Sequence, residues 1–462
     1  MSVLDWVIMT STLVLILIYG LYKSKNQNAM DYIVAGRQMP WYVVLIGIMA
    51  TQASAITFIS GPGQSYADGM RFIQYYFGIP LAMIVVAAIF VPAFQKANAY
   101  TAYDFLDKRF DRKTRLFTGI LFLFSRGIST GMSIYAPAIV LSSIFGWNIY
   151  LTNILCGGLL IIYTFTGGAK AIAHTQKIQF TIILISMALA GYMVVQLLPE
   201  QYSFGDAFFI AGQAGKLNII TTDFKWDDKY NIYSGIIGGF FLALSYFGTD
   251  QSQVGRFLTA KKERDSKLGL ILNGFVKIPM QFFILLIGVL LYSFYAIQTG
   301  PIFFNETATA KVAQIMPEQY EQLQTSFQKS SEQHQANTVA LIEANKQENS
   351  NLSNLQSAFN ESKKDLEVQQ VQFKKIINEN KASIGASADD TNYIFLHFVK
   401  KYLPAGMVGL LFAVVFLASW GSISAALNSL ATSTLLDFHQ LITQKEMEDI
   451  QQLRWVKGYT LL

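Results

Sequence analysis

Apolar residues along this chain gather in blocks of about twenty, parted by short polar or basic stretches, and a helix needs about that many to cross a bilayer's hydrocarbon core. The blocks predict membrane helices at about 3–22, 41–59, 72–94, 117–145, 149–165, 178–198, 233–247, 268–297 and 403–436, with a tenth starting near Leu453. Backbone groups in lipid must find partners inside the chain, so the spans are expected to be helices and the fold class is all-α, a polytopic membrane protein. The first block begins at once, without a basic leader region or a clear small-residue cleavage site, and reads as a retained helix.

Basic residues are distributed unevenly between the loops. Alternate loops hold Lys23, Lys25 and Arg37; then Lys96, Lys108, Arg109, Arg112, Lys113 and Arg115; then Lys170 and Lys177; then Arg256, Lys261, Lys262, Arg264 and Lys267; then Lys445 and Arg454. The short loops of the other set hold little more than Arg71. The bias places the first set in the cytoplasm and the N-terminus outside; the expected location is a bacterial inner membrane.

Two outside segments are long. Residues 199–232 carry mixed charge. Residues 300–392 contain a polar stretch, about 318–387, rich in Gln, Asn, Glu, Lys and Ser. Within it Leu323, Phe327, Leu341, Ile342, Leu352, Leu355, Phe359, Leu366, Val371, Phe373 and Ile377 recur at rough helical spacing, which predicts a helical hairpin or short coiled pair standing outside the membrane. A spacer or family-specific insertion is the favoured reading over a partner-binding role. The chain therefore divides into membrane helices over 1–299, an extracytoplasmic loop with its polar insertion over 300–392, and further membrane helices over 393–462. The last apolar block holds about ten residues, too few to cross a bilayer, which suggests a truncated chain.

Composition agrees: 52% of residues are hydrophobic and only 14% charged, against roughly a quarter in soluble proteins. One cysteine, Cys156, lies in an apolar span and reads as an inert core thiol; it excludes a disulfide framework within the chain. There is no Walker A pattern and so no sign of ATP drive. No nucleophile, metal cluster or acid pair argues for an enzyme, and nothing points to nucleic acid or to an obligate protein partner. His174 reads as a solvated loop histidine.

Three segments carry features that a lipid-facing helix avoids. The second span runs through Gln52, Ser54 and Thr57 to Ser60-Gly61-Pro62-Gly63, a sequence that predicts a helix break at Gly61–Gly63. A break frees carbonyls for a hard cation and marks transporter sites; the alternative is a helix that ends at Ser60 in a loop. The seventh span ends Tyr246-Phe247-Gly248-Thr249-Asp250-Gln251-Ser252-Gln253, and a carboxylate within a span is a functional hypothesis by default. The alternative is a water-capped helix end. The ninth holds Ala418-Ser419-Trp420-Gly421-Ser422-Ile423-Ser424, where hydroxyls on one face suit Na⁺ and small residues equally suit close packing. Arg126 and Lys277 lie within spans and either snorkel or meet an anion.

The segment Tyr100-Thr101-Ala102-Tyr103-Asp104-Phe105-Leu106-Asp107-Lys108-Arg109-Phe110 resembles the cytoplasmic signature of the sodium/solute symporters, as does Gly167-Gly168-Ala169-Lys170-Ala171. Ile134-Tyr135-Ala136-Pro137-Ala138 and Asp250-Gln251-Ser252-Gln253-Val254-Gly255-Arg256 are similar to the branch of iodide, monocarboxylate and multivitamin carriers. The resemblance implies a LeuT-like core of two inverted repeats behind one extra N-terminal helix, with paired breaks at Gly61–Gly63 and around Gly248. It implies a Na⁺ site from the carbonyls of Ala50, Ala53 and Ala418 and a hydroxyl pair at 421 and 422. Ser422 fits; Gly421 departs from the pattern. A further Na⁺ site would need an Asp where Gln176 stands. The implied substrate region holds Gln52, Thr57, Gln74, Tyr75, Tyr246 and Asp250, with Arg126 as an anion partner. The expectation is Na⁺-coupled import of a small polar or anionic solute by alternating access. The rivals are proton coupling through Asp250 and a transporter-like membrane sensor.

Overall fold

The computed structural model describes residues 1–25, 27–226, 228–347, 352–444 and 447–462. Lys445 and residues 348–351 of the polar segment lie outside the described residues. Within them the only β pairing is a single bridge between Met39 and Ala260. The helices that matter here are α1 (Val3–Lys23), α2 (Trp41–Gln52), α3 (Ala55–Asp68), α4 (Ile79–Val85), α5 (Arg112–Phe145), α6 (Ile149–Gln196), α7 (Gly239–Thr249), α8 (Gln251–Leu258), α9 (Glu263–Gln298), α10 (Pro317–Lys346), α11 (Leu352–Glu379), α12 (Thr391–Tyr402), α13 (Met407–Ser433) and α14 (Asp449–Leu461).

Among the described residues, six helical stretches are long and apolar enough to cross a membrane, and two shorter apolar helices accompany them. Of the nine predicted blocks, 149–165 and 178–198 run together in α6, and 41–59 and 233–247 open on the two shorter helices. The longest, α6, has 48 residues and would be roughly 70 Å long if straight, more than twice a hydrocarbon core. It bends at Gly168, whose φ of 55° and ψ of −171° are open to glycine at little cost. A side chain there would also collide with the Tyr32 ring. The predicted cytoplasmic loop 167–177 is thus a bend inside one helix.

Burial sorts the helices into two layers. The most apolar windows of α9 and α13 are 78% buried, against 22% for α1 and 17% for the start of α5. On α5, Phe117, Ile120, Phe124 and Ile128 are exposed, as expected of a surface solvated by lipid tails. The inner helix α13 packs on α6, α1 and α5, while α9 packs on α2 and α3. Asp5 joins the layers. It closes a capping box with Ser2 at the start of α1, and its second oxygen accepts from the amides of Gly406 (2.6 Å) and Gly409 (3.1 Å) where α13 begins. One buried carboxylate therefore satisfies amide donors at two helix starts.

Gly61-Pro62-Gly63 does not break the chain. It lies inside α3, where its glycines serve close approach. A Cβ on Gly61 would come within 2.8 Å of Ile284, one on Gly63 would collide with the carbonyl of Thr391, and one on Gly288 of α9 would collide with that of Pro62. The break falls earlier: Ala53 and Ser54 are extended, with ψ of 93° and 167°. The second break is at Asp250, also extended at ψ 115°, two residues beyond Gly248.

The polar segment does form a helical hairpin, α10 and α11. Its two helices pack on the apolar helices. Leu341, Ile342 and Phe359 are continuous with the main core, and Phe327, Phe373 and Ile377 pack with Ile302, Phe303 and Val312. Val371, expected on the packed face, is exposed. Polar tethers add to this: Gln335 donates to the carbonyl of Ile297 (2.5 Å), Lys346 to that of Gln201 (2.8 Å) and Lys363 to that of Ala214 (3.2 Å).

Candidate functional site

The first break sets the backbone of residues 50–54 against α13 and α6. A helix end leaves its last carbonyls without intrahelical donors, and Ala50 is among them. A Cβ on Gly421 would sit 3.3 Å from the Ala50 oxygen and 3.5 Å from Gln179 Oε1, so the end of α2 lies close against α13 and α6 at this point. Ser422 donates to the carbonyls of Ala418 and Ser419, both at 3.2 Å. A hydroxyl that donates to its own helix still offers oxygen lone pairs outward.

The position at 176 is occupied by an amide that braces this pocket. Gln176 Nε2 donates to the carbonyl of Gly421 (2.8 Å) and to Thr51 Oγ1 (3.3 Å), and its Oε1 has no partner. One helical turn on, Gln179 is buried with neither of its amide atoms partnered. Sequence reasoning passed over Gln179; a polar residue three positions from Gln176, on the same helix face, was the signal.

Gln52, at the end of α2, donates to Asn273 Oδ1 on α9 at 2.9 Å. Asn273 opens a stripe on α9. Asn273, Lys277 and Gln281 stand four residues apart, so all three share one face, and all are buried. Lys277 has no carboxylate partner among the described residues; its ammonium lies 5.8 Å from the centre of the Tyr76 ring. Thr57 stands in the first turn of α3, just beyond the break, half-buried.

Arg126, Tyr246 and Asp250 meet at the second break. Arg126 and Asp250 form an ion pair, the guanidinium lies 5.6 Å from the centre of the Tyr246 ring, and Gln253 donates to the Tyr246 hydroxyl at 2.8 Å. Asp250 also caps α8 by accepting from the Ser252 amide at 2.8 Å. Arg256, counted among the loop charges, is buried and reaches Asn428 Oδ1 at 3.4 Å. Gln74 and Tyr75 stand elsewhere. Gln74 donates to the carbonyls of Arg71 and Tyr230 and accepts from the Thr221 amide, and Tyr75 packs on Tyr230 and Phe72. Both contact Tyr230, and Gln74 also holds Thr221.

The segment 100–110 grips the second break. Tyr103 donates to the carbonyl of Thr249, and Gln251 accepts from the amide of Ala102 and donates to the carbonyl of Tyr100. Arg115 then ties the segment to the helical turn Thr434–His439 that follows α13, reaching Asp104 (3.3 Å), Asp107 (3.1 Å) and Asp437 (2.9 Å).

The sequence profile of the sodium:solute symporter family matches residues 32–318 and 370–462. The chain belongs to that family. The match skips 319–369, most of the hairpin, which is therefore an addition to the shared symporter core. The human sodium/iodide cotransporter is 28% identical over 258 residues, covering 55% of this chain and 39% of that protein. Human sodium-coupled monocarboxylate transporter 1 is 28% identical over 273 residues, covering 58% and 44%. The sodium-dependent multivitamin transporter of Oryctolagus cuniculus is 27% identical over 304 residues, covering 64% and 46%. The chain thus spans less than half the length of these relatives, which are transporters and not enzymes. A solved structure of a Na⁺-coupled sialic acid symporter, substrate-bound and outward-open, superposes at a TM-score of 0.75 with 21% identity, over all of this chain and 80% of that one. The symporter fold is the LeuT-like one, all-α, in a multi-pass membrane protein.

Proposed function

We propose that this chain carries the symport core in which a Na⁺ gradient drives import of a small anionic solute by alternating access. The observation that carries the reading is the first break: Ala53 and Ser54 unwind where Ala50 faces Gly421. The cation ligands are the carbonyls of Ala50, Ala53 and Ala418 and the hydroxyl of Ser422. Gln176 already holds the Gly421 carbonyl with an amide N–H, which fills the neighbouring space with a neutral donor and supports a single cation site.

The solute binds beside Gln52, Thr57, Asn273 and Lys277. A buried ammonium without a carboxylate attracts an anion, because the bound anion removes the cost of an uncompensated charge. Iodide and monocarboxylate, in the names of the relatives, are anions too. Arg126 neutralises Asp250 instead of the solute, and the pair, stacked on Tyr246, works as a hinge lock at the second break. This weighs against proton coupling through Asp250, which would first have to leave a permanent counter-charge. The basic loops face the cytoplasm of the cell, and the N-terminus and the hairpin lie on the opposite face. Cation binding orders the first break, and with it Gln52, so each ligand favours the other.

The test is uptake of radiolabelled monocarboxylates into proteoliposomes with Na⁺ and pH gradients imposed separately. The reading expects accumulation under the Na⁺ gradient alone. Accumulation under the pH gradient alone, or under neither, would overturn it.

A further inference from the structure

The added hairpin encloses a second polar cavity, apart from both breaks. It measures about 350 Å³ and lies between α11, the end of α3, the end of α9 and the loop after residue 213. Its charged lining is Lys216, Lys363, Lys374, Glu367 and Asp390. Lys374 and Asp390 pair at 2.8 Å and cancel. That leaves Lys216 and Lys363 facing one carboxylate, Glu367, which sits 3.8 Å from Lys363 and is itself exposed. The cavity therefore carries a single net positive charge.

Each of these ammonium groups spends one N–H on a backbone carbonyl, Lys216 on that of Ala67 (2.6 Å) and Lys363 on that of Ala214 (3.2 Å), and both sit over one aromatic ring. Lys216 Nζ is 5.0 Å and Lys363 Nζ 6.0 Å from the centre of the Tyr292 ring. The Tyr292 hydroxyl is buried without a hydrogen-bond partner. Tyr66 packs on the same ring, with centroids 5.7 Å apart, and Phe327 and Leu366 complete an apolar wall. Two cations and an unpaired phenol beside such a wall make a complement for a carboxylate attached to a compact apolar body.

We propose that this cavity is an outer binding site for a small organic monoanion, formed jointly by the symporter core and the added hairpin. Lys216 and Tyr292 come from the part matched by the family profile, and Lys363 and Glu367 from the part it skips. The site stands on the hairpin's own geometry and does not depend on the transport reading.

The lysines supply a pH signature. Burial, then the charge of Lys363, pushes Lys216 down to about 8, opposed by Glu367 and Asp68. An anion needs Lys216 charged, so its affinity falls as pH rises through about 8.

The experiment uses benzoate as the probe, titrated calorimetrically into the full chain in nanodiscs. The Lys277→Met variant is the background, so that the inner site does not contribute. Binding is expected at pH 7, weakening on going to pH 9.5. Lys216→Met and Lys363→Met keep the apolar stems and should each weaken it about tenfold or more, the scale of a hydrogen bond to a charged group. The pH dependence should vanish in Lys216→Arg, whose side chain stays charged and keeps benzoate bound. Should a methionine variant misfold, the arginine variant and the pH series decide alone. Affinity indifferent to pH and to both lysines, or no benzoate binding at all, overturns the proposal.

Discussion

The Tyr103 hydroxyl donates to the carbonyl of Thr249 at 3.0 Å, across 146 positions of sequence. Thr249 is the last residue of α7, where the helix stops and its carbonyl loses a helical donor. A backbone acceptor left bare away from water costs about 1–3 kcal/mol, and the signature segment removes that cost from outside the broken helix. Tyr103→Phe keeps the buried ring and deletes only the donor. The expected result is a thermal midpoint lowered by a few degrees, roughly what such a loss brings in a chain of this size, with looser amide protection over 247–252 in hydrogen exchange. An unchanged midpoint and unchanged protection would show that water or another donor serves Thr249 equally well.

The cation reading turns on two adjacent positions. Ser422→Ala removes the one side-chain oxygen of the set and should abolish the stimulation of uptake by Na⁺. Gly421→Ser tests the converse. A Cβ at 421 meets the Ala50 oxygen at 3.3 Å, tight enough to require a small shift but not a collision. The added hydroxyl should lower the Na⁺ concentration for half-maximal uptake, roughly tenfold if the new oxygen contributes about 1.4 kcal/mol to the bound state. Uptake insensitive to both substitutions would place the cation elsewhere.

The helices were legible because lipid imposes one rule on every span: satisfy the backbone internally and present apolar side chains. The positions of the breaks were not. Gly61-Pro62-Gly63 carries every local mark of a break yet continues as helix, because Gly288 and Thr391 press against it and the glycines are needed for that approach. Ala53-Ser54 carries no such mark and unwinds, since its conformation is set by what α6, α9 and α13 offer to residues 50–54. The candidate site was legible where chemistry is exceptional in a membrane, at Arg126, Asp250 and Lys277. It was not legible at ordinary buried amides, such as Gln179 on α6 and Asn273 and Gln281 on α9.

Lys277 offers a test in which stability and function move in opposite directions. An ammonium buried without a carboxylate costs the folded state several kcal/mol, and Met fills nearly the same space. Lys277→Met should therefore raise the thermal midpoint of the solute-free protein while raising the solute concentration for half-maximal uptake at least about tenfold. The Na⁺ dependence should persist, since no cation ligand touches this side chain. A midpoint that falls together with affinity would assign Lys277 a packing role instead.

His334 gives the hairpin a defined pH window. It is buried between α10 and α11, with Nδ1 2.9 Å from Ser362 Oγ and its ring 4.9 Å from that of Phe359. Burial, then the Lys363 charge, pushes its pKa from 6.5 to about 4. The unfolded hairpin therefore binds more protons than the folded one between those two values, and stability falls as pH drops through that interval. The contribution is fully present above pH 6.5 and lost near pH 4, a span worth roughly 3 kcal/mol. Limited proteolysis of the full chain should cut within 317–379 faster at pH 4.5 than at pH 7.5, with the membrane helices unaffected. His334→Gln keeps a hydrogen-bonding side chain without the titration, so its cleavage rates at the two pH values should agree. Equal pH sensitivity in the variant would move the switch to another group.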